Sequence, residues 1–80
     1  MGIGYYRLGD LSEAKMHEEL AIKSIQIDPS YSWSYNLLGL SLSAEGNKTG
    51  AISEIQIAIK LDPQNEAFKQ NLRIAEAKNE

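Results

Sequence analysis

Among its 80 residues the chain has no cysteine, two prolines, one tryptophan, one phenylalanine and one histidine. Lacking cysteine, it forms neither disulfides nor cysteine-ligated zinc sites, and a reducing compartment suits it. There is no basic excess: eight lysines and arginines against eleven acids give a net charge of −3, which argues against a nucleic-acid ligand. No apolar run approaches the ~20 residues needed to span a bilayer, and the amino terminus lacks the layout of a signal peptide. A cytoplasmic location without a membrane partner is therefore expected.

Catalytic machinery is also missing. His17 is the only histidine, and "HEEL" is not the HExxH metal motif. Glu13 and His17 are i, i+4 neighbours, which reads as a solvated pair rather than a metal site. No serine has a base arranged around it. The glycines at 2, 4 and 9 do not follow a strand, so no phosphate-cradling loop is expected. Glu18 and Glu19 read as solvated charge. "MGIGYY" begins like a myristoylation signal, but Tyr6 stands where Ser or Thr is required. "NKT" at 47–49 matches a glycosylation sequon, yet Asn47 after Gly46 reads as a turn. The expectation is a non-enzyme with no cofactor, no metal and no catalytic residue.

What is present is a folded composition, 42% hydrophobic and 24% charged, and an internal repeat. "IDP" at 27–29 recurs as "LDP" at 61–63, a spacing of 34. Gly2, Gly9, Ala14, Ala21, Ile22 and Lys23 recur as Gly39, Gly46, Ala51, Ala58, Ile59 and Lys60, each 37 residues on. Both spacings hold if the first copy carries three extra residues, Ser24-Ile25-Gln26. Such an insertion adds ~300° of rotation, nearly one helical turn, so the buried stripe survives.

Each copy reads as two helices. Tyr35, Leu38, Gly39 and Leu42 follow i, i+3, i+4, i+7, and Ala51, Ile55, Ala58 and Ile59 form the next apolar face. Gly46-Asn47 breaks between them, as Gly9-Asp10 does in the first copy. Asp10 with Glu13 makes a capping box. Asp28 and Asp62, each before a proline, end their helices, and Ser30 and Asn65 cap the helices that follow. The spacing predicts an all-α chain with helices near 1–8, 11–27, 31–45, 48–61 and 65–79.

Gly39, Gly46, Ala51, Ala58 and Pro63, with Tyr35, the Leu38-Gly39 pair and Ile55, resemble the tetratricopeptide repeat, a helix-turn-helix unit of 34 residues. The resemblance covers nearly the whole chain. It implies helix-turn-helix repeats in a right-handed α-solenoid with a carboxyl-terminal capping helix. The single domain over 1–80 then divides into a truncated first repeat at 1–29 with its insertion at 24–26, a full repeat at 30–63, and a cap at 64–80. Small Gly39 and Ala51 let paired helices approach, and Ala58 makes room for the next helix.

In this register Met1 falls at the seventh position of a repeat, so the start of the first helix is missing and Leu8, Leu11, Leu20 and Ile25 lose part of their cover. A fragment of a longer array is expected, or a second molecule that supplies the cover. In the cap, Phe68, Leu72 and Ala75 form an inward stripe, while Lys69, Arg73 and Glu76 face solvent.

Tyr35 is expected in the core, Tyr31 half-buried, and Trp33 about 200° from Tyr35. On the fold implied by the resemblance, Trp33 faces the concave groove lined by first helices; the bland alternative is that it leans on a neighbouring helix. Ile3, Tyr6, Arg7, Asn36, Leu40, Ser43, Gln70 and Ile74 share that groove. Trp33, Leu40 and Ile74 would supply apolar contact, and Asn36 and Gln70 hydrogen bonds to a peptide backbone. A closer similarity is to the last repeat and cap of small glutamine-rich tetratricopeptide co-chaperones, whose relatives clamp acidic chaperone tails with a lysine and an arginine. Trp33 and Leu37 occupy those places, so the acidic specificity does not carry over. The expected function is a protein-interaction module holding a partner peptide. The alternative is a structural module in which the truncated first repeat drives homo-oligomerisation.

Overall fold

The structure, a computed structural model, describes residues 11–77. They form four helices, α1 (Leu11–Ile27), α2 (Ser32–Ala44), α3 (Lys48–Leu61) and α4 (Glu66–Ala77), and no strand occurs among the described residues. The fold is all-helical. The helices expected at 11–27, 31–45, 48–61 and 65–79 fall on these with boundaries shifted by at most one residue, save the end expected at 79, which lies outside the described residues. The helix expected over 1–8 lies outside the described residues, as do Asp10 and the groove positions Ile3, Tyr6 and Arg7.

Side-chain chemistry sets most of the boundaries. α4 opens on Asn65, whose Oδ1 accepts the Phe68 amide at 3.2 Å while its Nδ2 donates to Asp62 at 3.2 Å. α3 opens on Asn47, whose Oδ1 accepts the Gly50 amide at 2.8 Å. Gly46 just before it has φ +87°, the left-handed geometry that turns α2 into α3.

Ser30 departs from expectation. Its amide and its hydroxyl both donate to Asp28 Oδ1, at 3.1 and 2.8 Å, so it builds the turn after α1 rather than capping α2. The cap position falls to Tyr31, which makes no side-chain cap bond because its phenol cannot fold back on the first turn. Tyr31 is exposed rather than half-buried. Tyr35 is only partly buried, since its hydroxyl must reach the Pro29 carbonyl, to which it donates at 2.7 Å.

Packing follows chain order. α2 packs on both α1 and α3, α3 packs on α4, and a narrow contact joins α2 to α4; among the described elements α1 meets only α2. Of the seven buried apolar residues among those described, five are alanines, Ala14, Ala21, Ala51, Ala58 and Ala75, and Ile55 and Phe68 are the large ones. Close approach of helix backbones therefore does much of the sealing. Half-buried Leu38, Leu42, Ile52 and Ile59 add larger side chains around these tight helix pairs. Leu72 is half-buried beside Phe68 and Ala75, Lys69 is partly exposed, and Arg73 and Glu76 are exposed on the far side of α4.

One apolar face has no described cover. Met16, Leu20 and Ile27, spaced four and seven residues apart on α1, are 60%, 56% and 84% exposed. Of the positions expected to lose cover, Leu20 belongs to this face and Ile25 is half-buried. Leu8 and the Leu11 side chain lie outside the described residues.

Candidate functional site

α2, with the sequence SWSYNLLGLSLSA, carries no charged residue. Trp33, Leu37, Leu40 and Ala44 recur at i, i+4, i+7 and i+11, one stripe of this helix. Trp33 is 48% exposed, and the other three are half-buried. The stripe is wholly apolar and open to solvent along one side.

Two contacts fix α4 beside it. The Trp33 ring meets Phe68 edge-on, with centroids 5.1 Å apart and planes at 79°. Asn71 Nδ2 donates to Asn36 Oδ1 at 3.0 Å. Both pairs are 35 residues apart and three residues along each helix, so α2 and α4 run in the same direction in one register. Trp33 thus leans on the neighbouring helix and keeps about half of its surface free. Ile74 and Gln70, on the flank of α4 next to Asn71, are exposed, and Ser43 is half-buried.

Asn36 does not sit where the groove reading put it. It is 1% exposed, its oxygen is bound to Asn71, and its amide nitrogen is buried with no partner among the described residues. The cause is α4, which closes over this flank of α2 and takes the hydrogen bond assigned to a peptide. Ser34, 3% exposed, likewise buries a hydroxyl with no partner among the described residues. Reading the sequence overlooked Leu37 as an apolar lining residue, and Phe68 and Asn71 as the site's support. The signal was present: an aromatic pair and an amide pair share one separation of 35.

The electrostatics of the face are set from outside it. On α4 Lys69 and Glu66 form an ion pair at 3.5 Å, mostly exposed and worth little. Glu18 of α1 is partly exposed. The nearness of the Glu45 side chain, at the C-cap of α2, and then burial raise its pKa above the ordinary 4.5. Burial also raises Glu54 on α3. Among the described residues no cluster of three metal-ligating side chains exists, and no helix is long and apolar enough to cross a membrane. The chain matches no family model and no curated protein.

Proposed function

We propose that this chain is a protein-interaction module of tetratricopeptide-like helical hairpins, a part of a larger scaffold or co-chaperone-like protein, that holds a partner peptide against α2 beside α4. The observation that carries this reading is Trp33: a half-exposed indole, braced by Phe68, on a helix face without charge. Braced aromatics of this kind lose little freedom on binding and make effective anchors. Leu37, Leu40 and Ile74 extend the apolar contact, and Gln70 supplies the exposed amide that buried Asn36 does not. The helix order and the parallel α2–α4 register support the repeat-like arrangement. Trp33 and Leu37 offer no cation, so the ligand is an uncharged apolar segment rather than an acidic tail.

Selection from random displayed peptides, followed by titration on Trp33 fluorescence, tests the proposal. Trp33→Ala should weaken binding by about 2 kcal/mol or more. Because Trp33 also braces Phe68, this variant is expected to lose some stability, and Ile74→Ser, on an exposed position, serves as the partner variant. Binding should change little with salt. Selected peptides that bind both variants as well as they bind the parent would refute the site.

The exposed Met16, Leu20 and Ile27 face favours a second reading, self-association through α1. Sedimentation across a wide concentration range separates the two, and a monomer throughout removes the second.

A further inference from the structure

Met16, Leu20 and Ile27 belong to a longer pattern on α1. With Glu13 and Lys23 they fall at 13, 16, 20, 23 and 27, alternating steps of three and four that keep five exposed side chains on one seam of the helix. The buried residues Ala14 and Ala21 lie about 130° round the helix from this seam, so packing on α2 leaves it outside. The internal repeat sets Met16, Leu20 and Ile27 against Ser53, Ile57 and Leu61 of α3, which are exposed although α2 packs on that helix. A helix laid on α1 as α2 is laid on α3 therefore leaves the seam open too. We infer that the seam pairs with the same seam of a second copy, the two α1 helices running antiparallel and crossing at the level of Glu18. This pairing rests on the self-association reading above and gives it a geometry.

Charge selects that occupant and that direction. In the antiparallel pair Met16 lies against the partner's Leu20, and Leu20 against the partner's Met16. Glu13 then stands opposite the partner's Lys23, and two-fold symmetry makes each contact twice. A parallel pair sets Glu13 on the partner's Glu13 and Lys23 on the partner's Lys23, so like charges oppose it. Sliding the antiparallel pair by one heptad sets Lys23 on the partner's Leu20, or Glu13 on the partner's Met16, and breaks both charge pairs. The contact is small. α1, with 17 residues, is about 25 Å long and about 10 Å wide, a face well short of the ~800 Å² that each partner commits to a standard interface. The pair is therefore weak, and it forms as concentration rises.

Sedimentation of the whole chain over a wide concentration range tests the pairing, with wild type, Glu13→Lys, Lys23→Glu and an equimolar mixture of the two variants. Wild type should self-associate, and added salt should weaken it. Each variant alone should associate about tenfold more weakly, because two attractive pairs become two repulsive ones. The mixture should regain wild-type association, since each variant carries the charge the other needs. Should a variant fail to fold, cross-linking decides: the chain has no cysteine of its own, so Met16→Cys and Leu20→Cys can be mixed. That mixture should form disulfide dimers faster than either variant alone. A wild type that is monomeric at every concentration removes the self-association reading and this pairing with it, whether residues 1–10 or a foreign protein then covers the seam. Association that neither charge variant weakens, that their mixture does not restore, or that cross-links no faster in the mixed cysteine pair leaves that reading standing and overturns the antiparallel seam.

Discussion

A Cβ built on Gly39 would meet Cγ1 of Ile55 at 2.6 Å and the Ala51 carbonyl oxygen at 3.0 Å. Ile55 is fully buried and the carbonyl belongs to α3, so neither can step aside. Gly39→Ala gains about 1 kcal/mol of helix propensity but loses about 1–3 kcal/mol to overpacking, and the loss prevails because both obstacles are fixed. Chemical denaturation should show net destabilisation, and the cost should shrink when Ile55→Ala is already present. Additive effects of the two substitutions would mean that the helices do not meet at this point. Asn36 illustrates the opposite case. Its amide is buried, half-satisfied and bound to Asn71, so it pins the position of α4 rather than reading a ligand.

At the scale of elements the four helices are not equally secured. Among the described elements α2 is packed on both sides and α3 lies between α2 and α4, whereas α1 rests on α2 alone and α4 on α3 with a narrow contact to α2. Local opening should therefore begin at the outer helices. Native-state hydrogen exchange is expected to rank α2 and α3 as the most protected pair, with α1 and α4 opening at lower free energy. If α1 exchanged as slowly as α3, its Met16, Leu20 and Ile27 face would have to be covered by something other than α2, α3 or α4. The α2–α3 hairpin is the firm unit on which the candidate site stands.

At the scale of the whole molecule, two carboxyls of the described residues have pKa values displaced in the same direction. Glu18 and Glu54 are both raised, the first chiefly by its contact with Glu45 and the second by burial. Groups with raised native pKa values bind more protons folded than unfolded, so they favour folding below 4.5 and lose that contribution as pH rises through their native values. Stability should thus increase as the solution is taken from neutral towards mild acid, contrary to ordinary acid denaturation. Denaturation midpoints measured across that range check this. Glu54→Gln should raise stability at neutral pH and leave only the Glu18 part of the slope. A midpoint that falls steadily on acidification would contradict the argument.

The order of helices and their ends could be read directly from the chain, because turn residues and apolar periodicity act locally. Gly46, Asn47, Asn65 and the two Asp-Pro pairs impose their geometry within a few residues. The small residues of the α2–α3 contact were legible for the same reason, since Gly39, Ala51 and Ala58 recur in helical period. The candidate site was legible only in part. Trp33, Leu40 and Ile74 could be assigned to helix faces, but whether a face is open depends on the neighbour laid over it. Packing of α4 in a register of 35 buried Asn36, gave Trp33 its brace and left Ile74 outside. Local sequence therefore determined where each helix runs, and tertiary contact decided which of its polar and apolar groups meet water, because burial is a property of pairs of elements.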